Sequence, residues 1–183
     1  MRKIVASFFI SLDGVVESPD KWHFPYFSDE MGAAIGAQMS ASDAMLLGRV
    51  NYQQWADYWP TKADEDDPFA NYINGVQKYV VSSTLDSVDW NNTTLIPGDS
   101  FVERLTELKQ QPGGTIAMSG STTLVRSLLK HGLLDELNLM VHPIVVGAGQ
   151  RLFEDTDQIP FKLTSSTTFE TGVLSLTYST ETK

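Results

Sequence analysis

Cysteine is absent from the 183 residues. That excludes disulfides and thiolate metal sites, and it agrees with a reducing compartment. Basic side chains are scarce as well: 13 Lys and Arg stand against 23 Asp and Glu, a formal net charge of −10. A field of that sign repels nucleic acid and anionic membranes unless a local basic stripe offsets it, and the sequence has no such stripe. No run approaches the roughly 20 apolar residues that a membrane-spanning helix needs. The opening stretch MRKIVASFFISLDG meets Asp13 before a secretory apolar segment and cleavage site can form, so a cytoplasmic protein is expected. The histidines are few, His23, His131 and His142, and lack zinc-ligand spacing. His131 at a helix end reads as a dipole partner. The acidic run Asp64, Glu65, Asp66, Asp67 lacks the Gly and terminal Glu of a calcium loop and reads as a solvated turn.

What is present is globular: 42% hydrophobic and 10% aromatic residues, at a length that suits one domain over residues 1–183. KIVASFFI (3–10) is β-branched and aromatic without strict alternation, the pattern of a central strand buried on both faces. SDEMGAAIGAQM has an N-cap in Ser28 and helical apolar spacing at Met31, Ala34, Ile35 and Met39. DAMLLG (43–48) predicts a strand running into the helix RVNYQQWADYW. Asp67 and Pro68 open a helix that Gly75 closes, and KYVVSS (78–83) and TTLIP (93–97) predict further strands. Ser100 is placed as the cap of FVERLTELKQ. TIAMS (115–119), a helix from Ser121 to Gly132 and a strand over 136–147 form a strand–helix–strand unit. The tail predicts a hairpin turning at Thr171-Gly172. Alternating strands and helices with a terminal hairpin specify an α/β protein, its sheet mostly parallel with antiparallel strands at one edge.

In open α/β sheets ligands bind beyond the carboxyl ends of the strands. Those ends are Ser11 to Gly14, Leu47 to Arg49, Ser82 to Thr84 and Ser119 to Thr122. Gly48-Arg49 and Gly120-Ser121 lead straight into helices, where backbone N–H groups and the positive helix end form an anion seat. Arg49 adds a fixed cationic fork. The alternative is that both are ordinary turns, with Arg49 in a surface ion pair.

The segments FFISLDGVV, LLGRVNYQQW, VVSSTL and IAMSGSTTLVRSLLKHGLLDELNLMVHPIVVGAGQRLF, in that order, resemble the dihydrofolate reductase superfamily. They are most similar to the reductase domain of the bifunctional riboflavin-biosynthesis deaminase-reductase and its stand-alone relatives. The resemblance implies a three-layer α/β/α fold and NADPH laid across the strand ends. It assigns the cofactor to Gly48, Arg49, Tyr52, Ser82, Ser83, Gly120, Ser121 and Thr122, with Leu12, Asp13 and Gly14 over the nicotinamide. Gly147 and Gly149 read as turn residues and Asp135-Glu136 as structural. Where the family has Gly-Gly, with a cis peptide in dihydrofolate reductases, this chain has Ser119-Gly120.

Hydride transfer needs a dry aromatic slot and a proton source. Trp22, Phe24, Tyr26, Phe27, Met31, Tyr52 and Trp55 are the residues expected to line it, although for Phe27 and Met31 a plain core role fits the spacing equally. Asp29 is the carboxylate nominated to grip the substrate, with Glu30 next and Asp13 a second candidate catalytic group. First-turn acids also serve simply to favour the helix dipole. The implied function is an NADPH-dependent reductase of a planar heterocycle, either a pteridine such as dihydrofolate or 5-amino-6-(5-phosphoribosylamino)uracil. Rival readings are a non-catalytic NADP(H)-binding module and a structural partner using the tail hairpin. A homodimer without metal is expected.

Overall fold

The strands line up in the order β4-β3-β2-β5-β1-β6-β8-β7 in a single eight-stranded sheet. In chain order the elements are β1 (Ile4–Ile10), α1 (Asp29–Ala41), β2 (Ser42–Gly48), α2 (Arg49–Tyr58), α3 (Pro68–Gly75), β3 (Gln77–Ser82) and β4 (Thr93–Pro97). Then come α4 (Phe101–Gln110), β5 (Thr115–Ser119), α5 (Thr122–Lys130), β6 (Glu136–Val141), β7 (Phe161–Thr168) and β8 (Leu174–Thr180). The computed structural model describes residues 1–63, 66–154 and 156–180; Asp64 and Glu65 of the acidic turn lie outside them. Strands β4 through β6 in the sheet order are parallel, so their carboxyl ends share one edge. The β7–β8 hairpin adds antiparallel strands beside β6.

Strand alternation distributes the core between two faces. Ile4, Ala6, Phe8 and Ile10 of β1 point with Ala44 and Leu46 of β2 toward α4 and α5, where Leu105, Leu108, Leu124, Val125 and Leu128 close a large apolar cluster. On the opposite face Met45, Leu47 and Val80 meet Tyr52 of α2 and Ile73 of α3. A separate cluster forms beneath α1 from Met31, Met140, Phe169 and Val173. β1 is central between β5 and β6, but its α1-facing residues Ser7 and Phe9 are only half-buried.

Local chemistry explains most boundaries. Ser28 Oγ accepts from Met31 N and caps α1, and Asp67 Oδ1 accepts from Phe69 N to start α3. Gly132, at φ +65°, ends α5. Asp135 Oδ2 accepts from Ile4 N at 2.8 Å and from Lys109 Nζ at 2.6 Å, tying β1 and α4 to the start of β6. Two boundaries differ from the sequence reading. The strand expected over 136–147 stops at Val141, because Pro143 has no N–H for a ladder and the following residues belong to a loop. Ser100 stands at the N-cap of α4 without capping it; its hydroxyl donates to Pro97 O instead. No peptide bond among the described residues is cis, Ser119–Gly120 included.

Candidate active site

The β2–α2 and β5–α5 turns come together at the carboxyl edge of the sheet, since β2 pairs directly with β5. A side chain at Gly48 would run into the Ser121 hydroxyl and lie 3.0 Å from Ser121 Cβ. Asn51, in the first turn of α2, crosses to the other turn and donates from Nδ2 to Ser119 O at 2.6 Å. Gly120 takes φ +84° and Ser121 φ +59°, left-handed conformations that turn the backbone at the head of α5. Neither helix start is capped by a side chain. Thr122 is almost wholly buried, and its Oγ1 has no hydrogen-bond partner in the protein. Uncapped N–H groups and an orphaned buried hydroxyl suit an anionic group at this junction, and the missing Cβ atoms of Gly48 and Gly120 let Ser121 and Asn51 close the two turns together. Arg49 is exposed beside it, with Nη1 on Gln53 Oε1 at 3.0 Å.

One strand over, Ser82 and Ser83 border a cleft of 230 Å³ shared with Leu95, Gly98 and Asp99. Ser82 Oγ accepts from Thr84 N and Leu85 N, leaving its own proton to donate. The cleft lining carries Asp99 and no cation, so it suits an uncharged sugar or base edge rather than a phosphate.

At the β1 end, Asp13 acts as a clasp. Its Oδ1 accepts from Ser11 Oγ at 2.6 Å and Val146 N at 3.0 Å, and its Oδ2 accepts from Gly147 N at 2.9 Å. Arg151 Nε donates to Asp13 O, and its side chain packs against Gly14. The Ser11 hydroxyl, followed by these backbone donors, lowers the Asp13 carboxyl to about 2. A carboxylate so fully engaged holds the 11–14 and 144–147 loops together and does not trade protons near neutrality, which corrects its nomination as a catalytic acid. Leu12 stands 63% exposed at the mouth. Because the folded value lies below the ordinary 3.8, the stabilisation is complete above that pH and drains away as pH falls toward 2. Asp13→Asn is therefore expected to melt below the parent at pH 7, with the gap closing between pH 4 and 2; thermal melts followed by tryptophan fluorescence check this.

The residues expected to line one aromatic slot divide into two groups. Trp22 is buried, with Nε1 donating to Glu17 O, and belongs with Tyr26, Phe24 and Phe27 at the ends of β1 and β6. Phe24 and Phe27 are 64% and 49% exposed there. Met31 is fully buried against Met140, Phe9 and Tyr26, a core position beneath α1. Tyr52 and Trp55 lie elsewhere: α2 carries them into the cluster of Ile73, Trp59 and Trp90, where the Tyr52 hydroxyl accepts from Asp89 N at 2.9 Å. That bond pins the 85–92 loop from inside the α2 cluster. Asp29 is exposed on the first turn of α1, as is Glu30, whose carboxylate accepts from Glu170 N. At the head of α1 both acids favour the helix dipole.

A pair of histidines, unremarked in the sequence because 119 positions separate them, meets in this region. His23 and His142 are buried with ring centroids 6.2 Å apart, among Phe9, Trp22 and Tyr26. Asn51 is the other missed residue, its partner 68 positions away. Among the described residues no group of three potential metal ligands occurs, and no helix is long and apolar enough to cross a membrane.

The model of the RibD C-terminal domain matches residues 2–175, nearly the whole chain in the order of these strand-end turns. The chain belongs to the RibD C-terminal domain family. This RibD C-terminal domain is 30% identical over 181 residues to the uncharacterized protein YyaP of Bacillus subtilis, covering 97% of the chain and 94% of that protein. Among solved structures it is similar in fold to the diaminohydroxyphosphoribosylaminopyrimidine deaminase/5-amino-6-(5-phosphoribosylamino)uracil reductase of Thermotoga maritima. That likeness has TM-score 0.67 and 15% identity, covering 98% of this chain and 57% of that one. It also resembles the Enterococcus faecalis dihydrofolate reductase complexed with NADP(H), with TM-score 0.60, 14% identity and 97% and 94% coverage. The dihydrofolate reductase-like α/β fold is thus that of the family, with helices on both faces of a mostly parallel sheet.

Proposed function

We propose that this RibD C-terminal domain is an NADPH-dependent reductase of a planar heterocycle related to 5-amino-6-(5-phosphoribosylamino)uracil. The observation that carries the reading is the meeting of the Gly48 and Gly120 turns, joined by Asn51 and bearing the orphaned Thr122 hydroxyl. The pyrophosphate would rest on the N–H groups of Ser121 and Thr122, which stay in place because Gly48 and Gly120 let the two turns pack against Ser121 and Asn51. Arg49 is free to turn from Gln53 toward a ribose phosphate, and the Ser82–Ser83 cleft takes the uncharged adenosine edge. When bound, the cofactor supplies hydride. The protein contributes orientation, through the Asp13-clasped loop with Leu12 and Gly14, and an apolar surface from Trp22, Phe24 and Phe27. Membership in the family and the fold shared with both reductases support this assignment. A homodimer is part of the proposal, supported by the exposure of Leu163 and Leu174 on the tail hairpin, 49% and 40%.

Titrating NADPH and NADH against quenching of the four tryptophans tests the cofactor assignment. NADPH is expected to bind more tightly, and Arg49→Gln to weaken NADPH by ~10–100-fold while leaving NADH nearly unchanged, the effect of one charge-assisted phosphate contact. No binding of either cofactor rejects the reductase, and equal binding rejects the phosphate role of Arg49. Binding without oxidation in the presence of dihydrofolate or the phosphoribosylaminouracil leaves the non-catalytic module instead.

A further inference from the structure

Hydride transfer leaves an electron pair on the atom next to the carbon that is reduced, and that atom needs a proton. Of the carboxylates nominated from the sequence, Asp13 is engaged by three donors and Asp29 stands exposed on the first turn of α1. Two imidazoles are buried between the ends of β1 and β6.

His142 has no exposed surface; its backbone N–H donates to Ile10 O, and its ring Nδ1 lies 2.8 Å from Met140 O. A carbonyl only accepts, so Nδ1 carries the proton and Nε2 presents a lone pair to the box, where it has no partner. His23 lies flat on Phe9, with centroids 4.6 Å apart and planes 12° apart, and is covered on its other face by Phe24 at 4.2 Å. Its Nδ1 is buried and unpartnered too. The imidazoles are nearly perpendicular, at 87°, and Trp22 and Tyr26 close the box edge-on against His142. Such a frame fixes both rings while these nitrogens take no bond from another side chain or the backbone. Phe24, which stacks on His23, is 64% exposed, so His23 lies one ring from solvent.

We propose that His23 is the acid–base residue of the reduction and that His142 is its positioning residue. The proposal rests on the reductase reading above. The C–H electron pair leaves the dihydronicotinamide as hydride and forms the new C–H bond on the substrate, and the π pair of the C=N or C=O group moves to its heteroatom. That atom takes the proton from Nε2 of the His23 imidazolium, whose N–H electrons stay on the ring. The nicotinamide is oxidised by two electrons, the substrate is reduced by two, and His23 regains its proton from solvent. The groups facing His23 are Asp20 on its own segment, His142 from the end of β6, and the Tyr26 phenol of the same box. Burial and His142 hold His23 below its usual range against the pull of Asp20, and burial does the same to His142. The charged acid therefore grows in as pH falls below neutrality, and turnover rises with it.

The test is made on the full chain with NADPH and either the phosphoribosylaminouracil or dihydrofolate, beside imidazole NMR titrations of the unliganded protein. His23→Gln is expected to lose on the order of 10²-fold in kcat with NADPH affinity kept, and to lose the acid-side rise in rate. His142→Gln is expected to move the His23 titration, and the acid limb of the rate, to higher pH while KM stays unchanged. A ring with no part in the reaction would leave the acid limb of the rate where it is. The proposal is overturned by a His23→Gln enzyme within threefold of the parent, by an acid limb unchanged in it, or by a His23 titration that His142→Gln does not move. The last result needs neither turnover nor a folded His23 variant. Absence of NADPH binding removes the reductase and this role together, whereas normal turnover by His23→Gln removes this role alone.

Discussion

Gly120→Val is expected to lose at least ~10²-fold in NADPH affinity and to melt below the parent. Two effects act at the same atom. The residue sits at φ +84°, where a side chain costs roughly 1–2 kcal/mol and a β-branched one more. Its Cβ would also fall against the Asn51 amide, 2.9 Å from Oδ1. Asn51 could yield only by giving up its bond to Ser119 O, worth about 1 kcal/mol, and that bond is what joins the two turns. Moving either turn shifts the N–H groups that face the anion, so binding suffers more than stability. Tryptophan quenching by NADPH measures the first effect and a thermal melt the second. Gly36→Ala is the control: nothing lies within 4 Å of its Cβ position, it sits within α1, and exchange there is expected to stabilise by up to about 1 kcal/mol. A Gly120→Val protein that binds NADPH like the parent rejects the site.

Lys78→Met is expected to destabilise the protein by about 3 kcal/mol, lowering the thermal midpoint by roughly 5–10 °C for a chain of this length. Lys78 has no exposed surface, yet its ammonium donates to the carbonyls of Ile73, Asn74 and Val76 at 3.0, 3.2 and 2.8 Å and sits 4.4 Å from the Trp90 ring centre. These carbonyls end α3, where a cation meets the negative end of the dipole. Methionine fills the space and leaves three buried acceptors unpaired. Burial pushes Lys78 down to about 8, while the unfolded chain retains its proton to about 10.5. Between those values the unfolded state binds more protons, so this group makes the parent more stable as pH rises through the window. The variant lacks that limb, and calorimetric melts from pH 7 to 10 are expected to show the difference between the two proteins widening.

Much of this molecule is legible along the chain. Ser28 and Asp67 start their helices, Gly132 stops one, and the apolar runs of β1, β2 and β5 declare buried strands. The physics there is local: a cap or a left-handed turn needs only a few neighbouring residues. Asp13 shows the limit. Its place in a turn was readable, but whether its oxygens would be vacant or filled depended on Val146 and Gly147, 133 and 134 positions on. Tyr52 and Trp55 follow the same logic, since helical spacing defines an apolar face without saying which cluster that face will meet.

The residues alone determined the α/β class, the parallel order broken by a terminal hairpin, the surplus of negative charge and the two glycine turns at helix starts. Those properties follow from periodicity, backbone freedom and composition, and each is decided within a short window. Folding alone made the two turns neighbours through Asn51, filled the Asp13 oxygens with donors from the 144–147 loop and set His23 against His142. Every one of these depends on strand order, because β2 beside β5 and β1 beside β6 bring together groups that no spacing along the chain relates.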